Sequence, residues 1–112
     1  MITTKRWKAV TDPQLKVKIT RDVPVATYPF IDFFKGFDKV EAVRKIFGEK
    51  TEHVLRDLRV EFAGTRGYMY VSPDDGHLLM SAPYLRKGDL VDIYLDIIHE
   101  MVHVQQFMEA LI

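Results

Sequence analysis

The chain has 112 residues, a length that fits one domain of ordinary size. Its 16 basic and 16 acidic residues balance, so the charge gives no argument for binding nucleic acid. It has no cysteine, which excludes disulfides and thiolate metal sites. Neither a membrane-spanning apolar run nor an apolar signal core is found. We therefore expect one cytoplasmic domain, residues 1–112. The absence of asparagine in a charged chain is typical of heat-adapted proteins.

The first third of the chain is predicted to contain strands. Residues 15–20, LKVKIT, alternate apolar and polar side chains, which predicts a strand with one wet face. Pro24 and Pro29 restrict the next stretch to a loop or an edge strand. A dense aromatic group follows, and its spacing favours a core cluster over a ligand site. Its members are Tyr28, Phe30, Phe33, Phe34 and Phe37.

Two helical segments are predicted next. Asp38, with Glu41 three residues later, is typical of a helix start. The apolar residues that follow fall on one helix face: Val40, Val43, Ile46 and Phe47. Gly48 is placed to end this helix. Residues 51–58 form a second, short helical candidate.

A β region precedes a final helix. Residues 59–63, RVEFA, alternate in character, and residues 68–72 and 77–82 flank the sequence PDDG. Proline and Asp-Gly in those positions favour a tight turn, so a β-hairpin is predicted. After a Lys-Gly turn, Asp89 is placed to cap a helix that runs toward the C-terminus. The fold class predicted is α+β, a small antiparallel or mixed sheet whose hairpin packs on helices.

The final helix is predicted to be largely buried, with one narrow polar stripe. If His99 is set at zero on a helical wheel, four polar side chains fall within about 60° of it. These are Asp92, Asp96, His103 and Gln106. Glu100 lies about 100° away, and apolar residues cover most of the remaining circumference.

The polar stripe carries the pattern HEMVH, residues 99–103. Two histidines four residues apart on a helix can converge on one Zn²⁺ at about 2.1 Å. Glu100 beside them could accept a proton from a water molecule that the zinc activates. Asp96, one turn before His99, could orient a ligand imidazole or could be a surface carboxylate. The pattern therefore predicts a zinc site formed by His99 and His103, with Glu100 as general base.

The chain resembles the zincin metallopeptidases in and around this pattern. The similar residues are HEMVH itself, Gln105, Gln106 and Phe107 after it, and GHLLMSAPYLRKGD before it. The chain most resembles the small archaeal minigluzincins, over residues 60–112. The resemblance implies that the chain is a zincin-like catalytic domain in which the C-terminal helix carries the active site. It implies zinc on His99 and His103, catalysis by Glu100 and a peptide or protein substrate. Gluzincins take a third zinc ligand, a glutamate, from a later helix.

That third ligand has no counterpart here, because nine residues follow His103. Either the domain is truncated at its C-terminus or another group completes the site. Glu109 on a continuing helix points about 80° away from His99, which does not favour ligation. His77 could approach if its strand were the sheet edge nearest the helix. His53, water, a distant acid and a second subunit are the remaining options.

Two interaction surfaces are predicted. If strand 77–82 is the sheet edge, an extended peptide could pair with it. Apolar residues at the end of the helix would favour self-association: Phe107, Met108, Leu111 and Ile112. The leading functional hypothesis is a zinc-dependent endopeptidase, complete or latent. The alternative is a non-enzymatic zincin-like module that self-associates or binds a partner.

Overall fold

A computed structural model describes residues 9–12, 16–65, 67 and 69–111 and has an α+β fold with two small sheets. The strands are β1 (Ala9–Asp12), β2 (Val17–Thr20), β3 (Thr27–Pro29), β4 (Phe34–Lys35), β5 (Arg59–Ala63), β6 (Met69–Val71) and β7 (Leu78–Ser81). The helices are α1 (Phe30–Phe33), α2 (Glu41–Phe47), α3 (Thr51–Asp57), α4 (Ala82–Lys87) and α5 (Leu90–Ala110). Short 3-10 turns occupy Phe37–Lys39 and Gly48–Lys50.

The larger sheet is mixed, with strand order β3-β5-β7-β6. β5 and β7 run parallel, whereas β3 pairs with β5 and β6 pairs with β7 in antiparallel fashion. The smaller sheet has the order β1-β2-β4 and is antiparallel. The order places β6 at one edge of the larger sheet and β7 inside it. The prediction that residues 77–82 form the edge was therefore wrong, because parallel pairing with β5 encloses that strand.

The aromatic group is a core cluster, as predicted. Phe30, Phe34 and Phe37 are almost completely buried, and the rings of Phe30 and Phe34 stack with centroids 4.9 Å apart. Phe37 lies 5.8 Å from the ring of Tyr94 on α5. Because such a cluster excludes water from several elements at once, it joins the smaller sheet to the C-terminal helix.

Most predicted elements are confirmed. The hairpin forms across PDDG, α3 covers 51–57, Gly48 ends α2 with φ +62°, and Asp89 caps α5. Two details were wrong. Asp38 does not cap α2, because the chain first makes a 3-10 turn and Val40 becomes the N-cap residue. Residues 82–87 form helix α4, started by the Ser81 side chain, which accepts a hydrogen bond from the Tyr84 amide.

Arg21 fixes the start of α5. Its guanidinium donates to the carbonyl oxygen of Leu85 at 2.8 Å and also to that of Gly88. These bonds tie the end of β2 to the turn between α4 and α5. Among the residues described, no helix has the length and apolar character needed to cross a membrane.

Candidate metal centre

The helix that carries HEMVH buries one face in the domain core. α5 has 21 residues and packs against α2 and β6. The buried side chains of α5 recur at helical spacing: Ile93, Ile97, Glu100, Met101 and Val104. Glu100 thus belongs to the inward face, where an apolar residue would be expected. The prediction that it lies on the polar stripe beside His99 needs this correction.

The structure brings together all three residues predicted for the site. One potential ligand atom from each of His99, Glu100 and His103 lies within 4.8 Å of the others. The two imidazole rings have centroids 4.9 Å apart and are nearly perpendicular, at 84°. Both histidines are exposed to solvent. Ligand atoms around a tetrahedral zinc lie about 3.4 Å apart, so small side-chain rotations would suffice to bind one ion.

Glu100 is the chemically unusual member of the group. It is 8% exposed, and its Oε1 atom is buried without a hydrogen-bond partner. Burial raises the pKa of this carboxyl, although the nearby charges of His103 and His99 act in the opposite direction. A buried carboxylate oxygen without a partner is costly, so its retention calls for a reason. Buried carboxyls with a perturbed pKa of this kind are found preferentially at functional sites.

Gln106 orients one histidine. His103 Nδ1 lies 3.0 Å from Gln106 Oε1. An amide oxygen only accepts hydrogen bonds, so this contact requires a proton on Nδ1. In the neutral ring Nε2 then has the lone pair with which an imidazole binds a metal. With two imidazoles and one unpaired carboxylate, the donor set fits zinc.

A groove opens beside these donors. It measures about 620 Å³ and lies between the edge strand β6 and helix α5. Glu100 and His103 form one end of its helical wall, and Phe107 and Ala110 lie farther along. The opposite wall is formed by residues 69–73. Sequence reasoning missed this groove because its position depends on the order of the strands, which no local pattern encodes.

The other third-ligand candidates lie elsewhere. His77 Nδ1 contacts Glu61 Oε2 at 2.6 Å, and with Asp75 these residues form a second cluster. Glu61 stands opposite Leu79 in the β5–β7 ladder, whereas the buried Leu78 and Met80 face the core. The second cluster is therefore on the outer face of the sheet, away from α5.

Two further candidates have partners of their own. His53 pairs with Asp57 on α3, and Glu109 accepts a hydrogen bond from Gln105 on α5. Within the ranges that the structure describes, no fourth histidine, aspartate or glutamate joins the group on α5. Among the described residues the candidate site therefore consists of two imidazoles and the carboxyl of Glu100.

Asp96 has a partner that the sequence did not suggest. The Tyr84 hydroxyl on α4 donates a hydrogen bond to Asp96 Oδ2. Burial, and then this bond, raises the pKa of Tyr84 above its usual range. Asp96 is thus tied to α4, a contact that neither of its two predicted roles included. The bond between α4 and α5 steadies the turn of helix just before His99.

No protein-family model, curated protein or solved structure matches this chain. The resemblance to zincins consequently rests on HEMVH and its flanking residues alone.

Proposed function

We propose that the protein is a zinc-dependent endopeptidase. The observation that carries the proposal is the position of Glu100: buried, unpaired, beside two histidines and at the wall of a groove that a sheet edge lines. If the HEMVH pattern had arisen by chance, an apolar residue would be expected at this buried position instead of a carboxylate. The same residues supply a metal site, a proton acceptor and a place for an extended chain.

His99 and His103 would hold the ion. Zinc, when bound, lowers the pKa of coordinated water toward 7 and polarises a carbonyl oxygen. Glu100 would accept the proton released by that water on its carboxylate and pass it to the leaving amine. A carboxyl whose pKa is raised by burial is better matched to proton transfer near neutral pH than an exposed one. Gln106 would keep His103 in the ligating tautomer.

The substrate would be an extended peptide paired with β6. Within the described residues, β7 is the only strand that pairs with β6, so its other edge is available for hydrogen bonds. β6 forms one wall of the groove, which would direct a paired peptide past Glu100. Met69, Val71 and Phe107 make much of the lining apolar, which favours apolar substrate side chains.

The experiment is cleavage of a peptide mixture, read by mass spectrometry, with added zinc and with a chelator. We expect zinc-dependent cleavage of internal bonds that is lost in Glu100→Gln and retained in Glu109→Gln, a matched change on the same helix. His99→Ala and His103→Ala should lose bound zinc, and His53→Ala should not. Zinc binding that is indifferent to His99 and His103 would refute the proposal, as would equal cleavage by Glu100→Gln.

The second candidate is a non-enzymatic module, most simply a cytoplasmic one, that acts by self-association. It is favoured by the incomplete ligand set and by apolar side chains on the outer face of α5, notably Leu95, which is 54% exposed. If the chain binds zinc but cleaves no peptide, either as a monomer or as an oligomer, the non-enzymatic module is supported. The surface predicted for self-association at the end of α5 is less exposed than expected. Phe107 and Met108 are half-buried, and among the described residues at that end only Leu111 is a highly exposed apolar residue.

A further inference from the structure

One line of apolar side chains runs along the outer face of α5. Val91, Leu95 and Val102 are 45%, 54% and 40% exposed, and Ile98 between them is half-buried. Their spacing of four, three and four residues places them in one row, the pattern of a coiled-coil seam. We call these four residues the outer stripe. On the helical wheel the stripe lies roughly opposite the buried residues Ile93, Ile97 and Val104, and its three exposed members point away from the body of the protein. Ile98, on the side of the stripe nearest the buried face, also packs partly against the core.

The outer stripe is complementary to itself. Val91 and Val102 lie at equal distances on either side of the point midway between residues 96 and 97, and so do Leu95 and Ile98. A second copy whose helix runs antiparallel about that point would place valine against valine and leucine against isoleucine. Such reciprocal contacts define a two-fold interface.

We propose that two copies of this chain pair through the outer stripe, and that Asp92 of the second copy supplies the ligand that the zinc site lacks. The inference rests on the proposed zinc site. Asp92 and His99 each follow a stripe residue, so both flank the stripe on the same side. When two copies of a helix pair in antiparallel fashion, the same flank of each helix faces its counterpart on the other. Asp92 of each copy therefore lies beside His99 of the other copy, about 3 Å away along the axis.

Asp92 suits that role. It is exposed, and its carboxylate makes no hydrogen bond or ion pair within the described part of the chain. A carboxylate is an ordinary zinc ligand and would complete a set of three protein donors with His99 and His103. By symmetry the dimer would contain two such sites, each built from both copies.

The size of the outer stripe makes the dimer depend on the metal. A stable interface buries about 800 Å² on each partner, more than four aliphatic side chains provide. The apolar contact alone is consequently weak, and zinc shared between two copies would stabilise the pair by linkage. The monomer would be latent, and the dimer would have the complete site.

The test is sedimentation velocity of the purified chain, with chelator and then with one equivalent of zinc. We expect zinc to tighten the dimer at least about tenfold. Asp92→Asn should abolish the effect of zinc while leaving weak metal-free association. Leu95→Asp should abolish both, and Val25→Asp, which changes a side chain 65% exposed in the segment before β3, should alter neither. Circular dichroism checks that each variant is folded.

The outcomes separate this inference from the proposed function. A wild-type chain that binds zinc through His99 and His103 but stays monomeric overturns the dimer and leaves the peptidase proposal standing. A zinc-induced dimer that persists in Leu95→Asp or in Asp92→Asn also overturns it. If neither histidine affects zinc binding, both proposals fail.

Discussion

The residue proposed as general base is also one whose burial should destabilise the folded chain. Glu100 is buried and its Oε1 has no partner, and burial is the main cause of its raised pKa. A raised pKa means that the folded state favours the protonated carboxyl. The protonated carboxyl therefore makes its full contribution to stability below the ordinary pKa of about 4.5. This contribution is lost as the pH rises through the pKa that the carboxyl has in the folded state.

Replacing this carboxyl by an amide should stabilise the metal-free protein at neutral pH. Glu100→Gln keeps the shape and removes the buried charge, so we expect a gain of about 1 kcal/mol. For a domain of this size that corresponds to about 4 °C in melting temperature. Thermal unfolding in chelator, compared with Glu109→Gln, measures the gain. No gain at pH 7, or one as large at pH 4, would contradict the burial argument.

Tyr84 gives a second effect of pH with the same sign. Because burial and the bond to Asp96 raise its pKa, the folded state favours the neutral phenol, and the stability contribution disappears as the pH climbs above about 10. We expect Tyr84→Phe to lose about 1 kcal/mol at neutral pH and to be less sensitive to alkali than the parent. Urea unfolding at pH 8 and above pH 10 measures both. Tyr70→Phe is the control, since Tyr70 is 52% exposed, and equal alkaline sensitivity in all three proteins would refute the prediction.

At the scale of elements, the sequence predicted what is local and missed what is not. The turn at 73–76 and the Asp89 cap depend on a few neighbouring residues, and both are confirmed. The exception is α4, which was not predicted although the Ser81 cap with Pro83 is a local sign of a helix start. The position of β7 inside the sheet depends instead on pairing with β5, about 18 residues earlier in the chain. For the same reason the three site residues were predictable, whereas the burial of Glu100 and the groove were not.

The β6–β7 turn packs against the end of α5 through one close contact. Gly76 has φ +76°, and a Cβ atom there would lie 2.5 Å from the ring of Phe107. Gly76→Ala should therefore cost about 2 kcal/mol, partly from the left-handed backbone and partly from the ring. Urea unfolding measures the cost. In a Phe107→Ala background it should fall toward the backbone part alone, and an unchanged cost would exclude the ring contact.

At the scale of the whole molecule, one helix carries both the core contacts and the candidate site, with Glu100 on the buried face and the two histidines outside it. Ile93, Ile97 and Val104 fix α5 to the domain, while His99 and His103 on its other side are exposed. The candidate metal site is therefore one stretch of helix, and no distant element is needed to bring its two imidazoles together. This arrangement explains why the sequence alone could predict that the two histidines lie close together.

The proposed zinc site binds the ion through side chains that only the folded helix brings together, so on this proposal zinc should raise the stability of the entire domain. Free zinc at 100 times its dissociation constant adds about 2.7 kcal/mol, which for this chain is about 10 °C in melting temperature. Differential scanning calorimetry with zinc and with chelator measures the rise. His99→Ala and His103→Ala should each remove it. His53→Ala should retain it, because His53 pairs with Asp57 on a different helix. A rise that survives loss of both motif histidines, or that depends on His77 instead, would move the metal to the cluster on the outer face of the sheet.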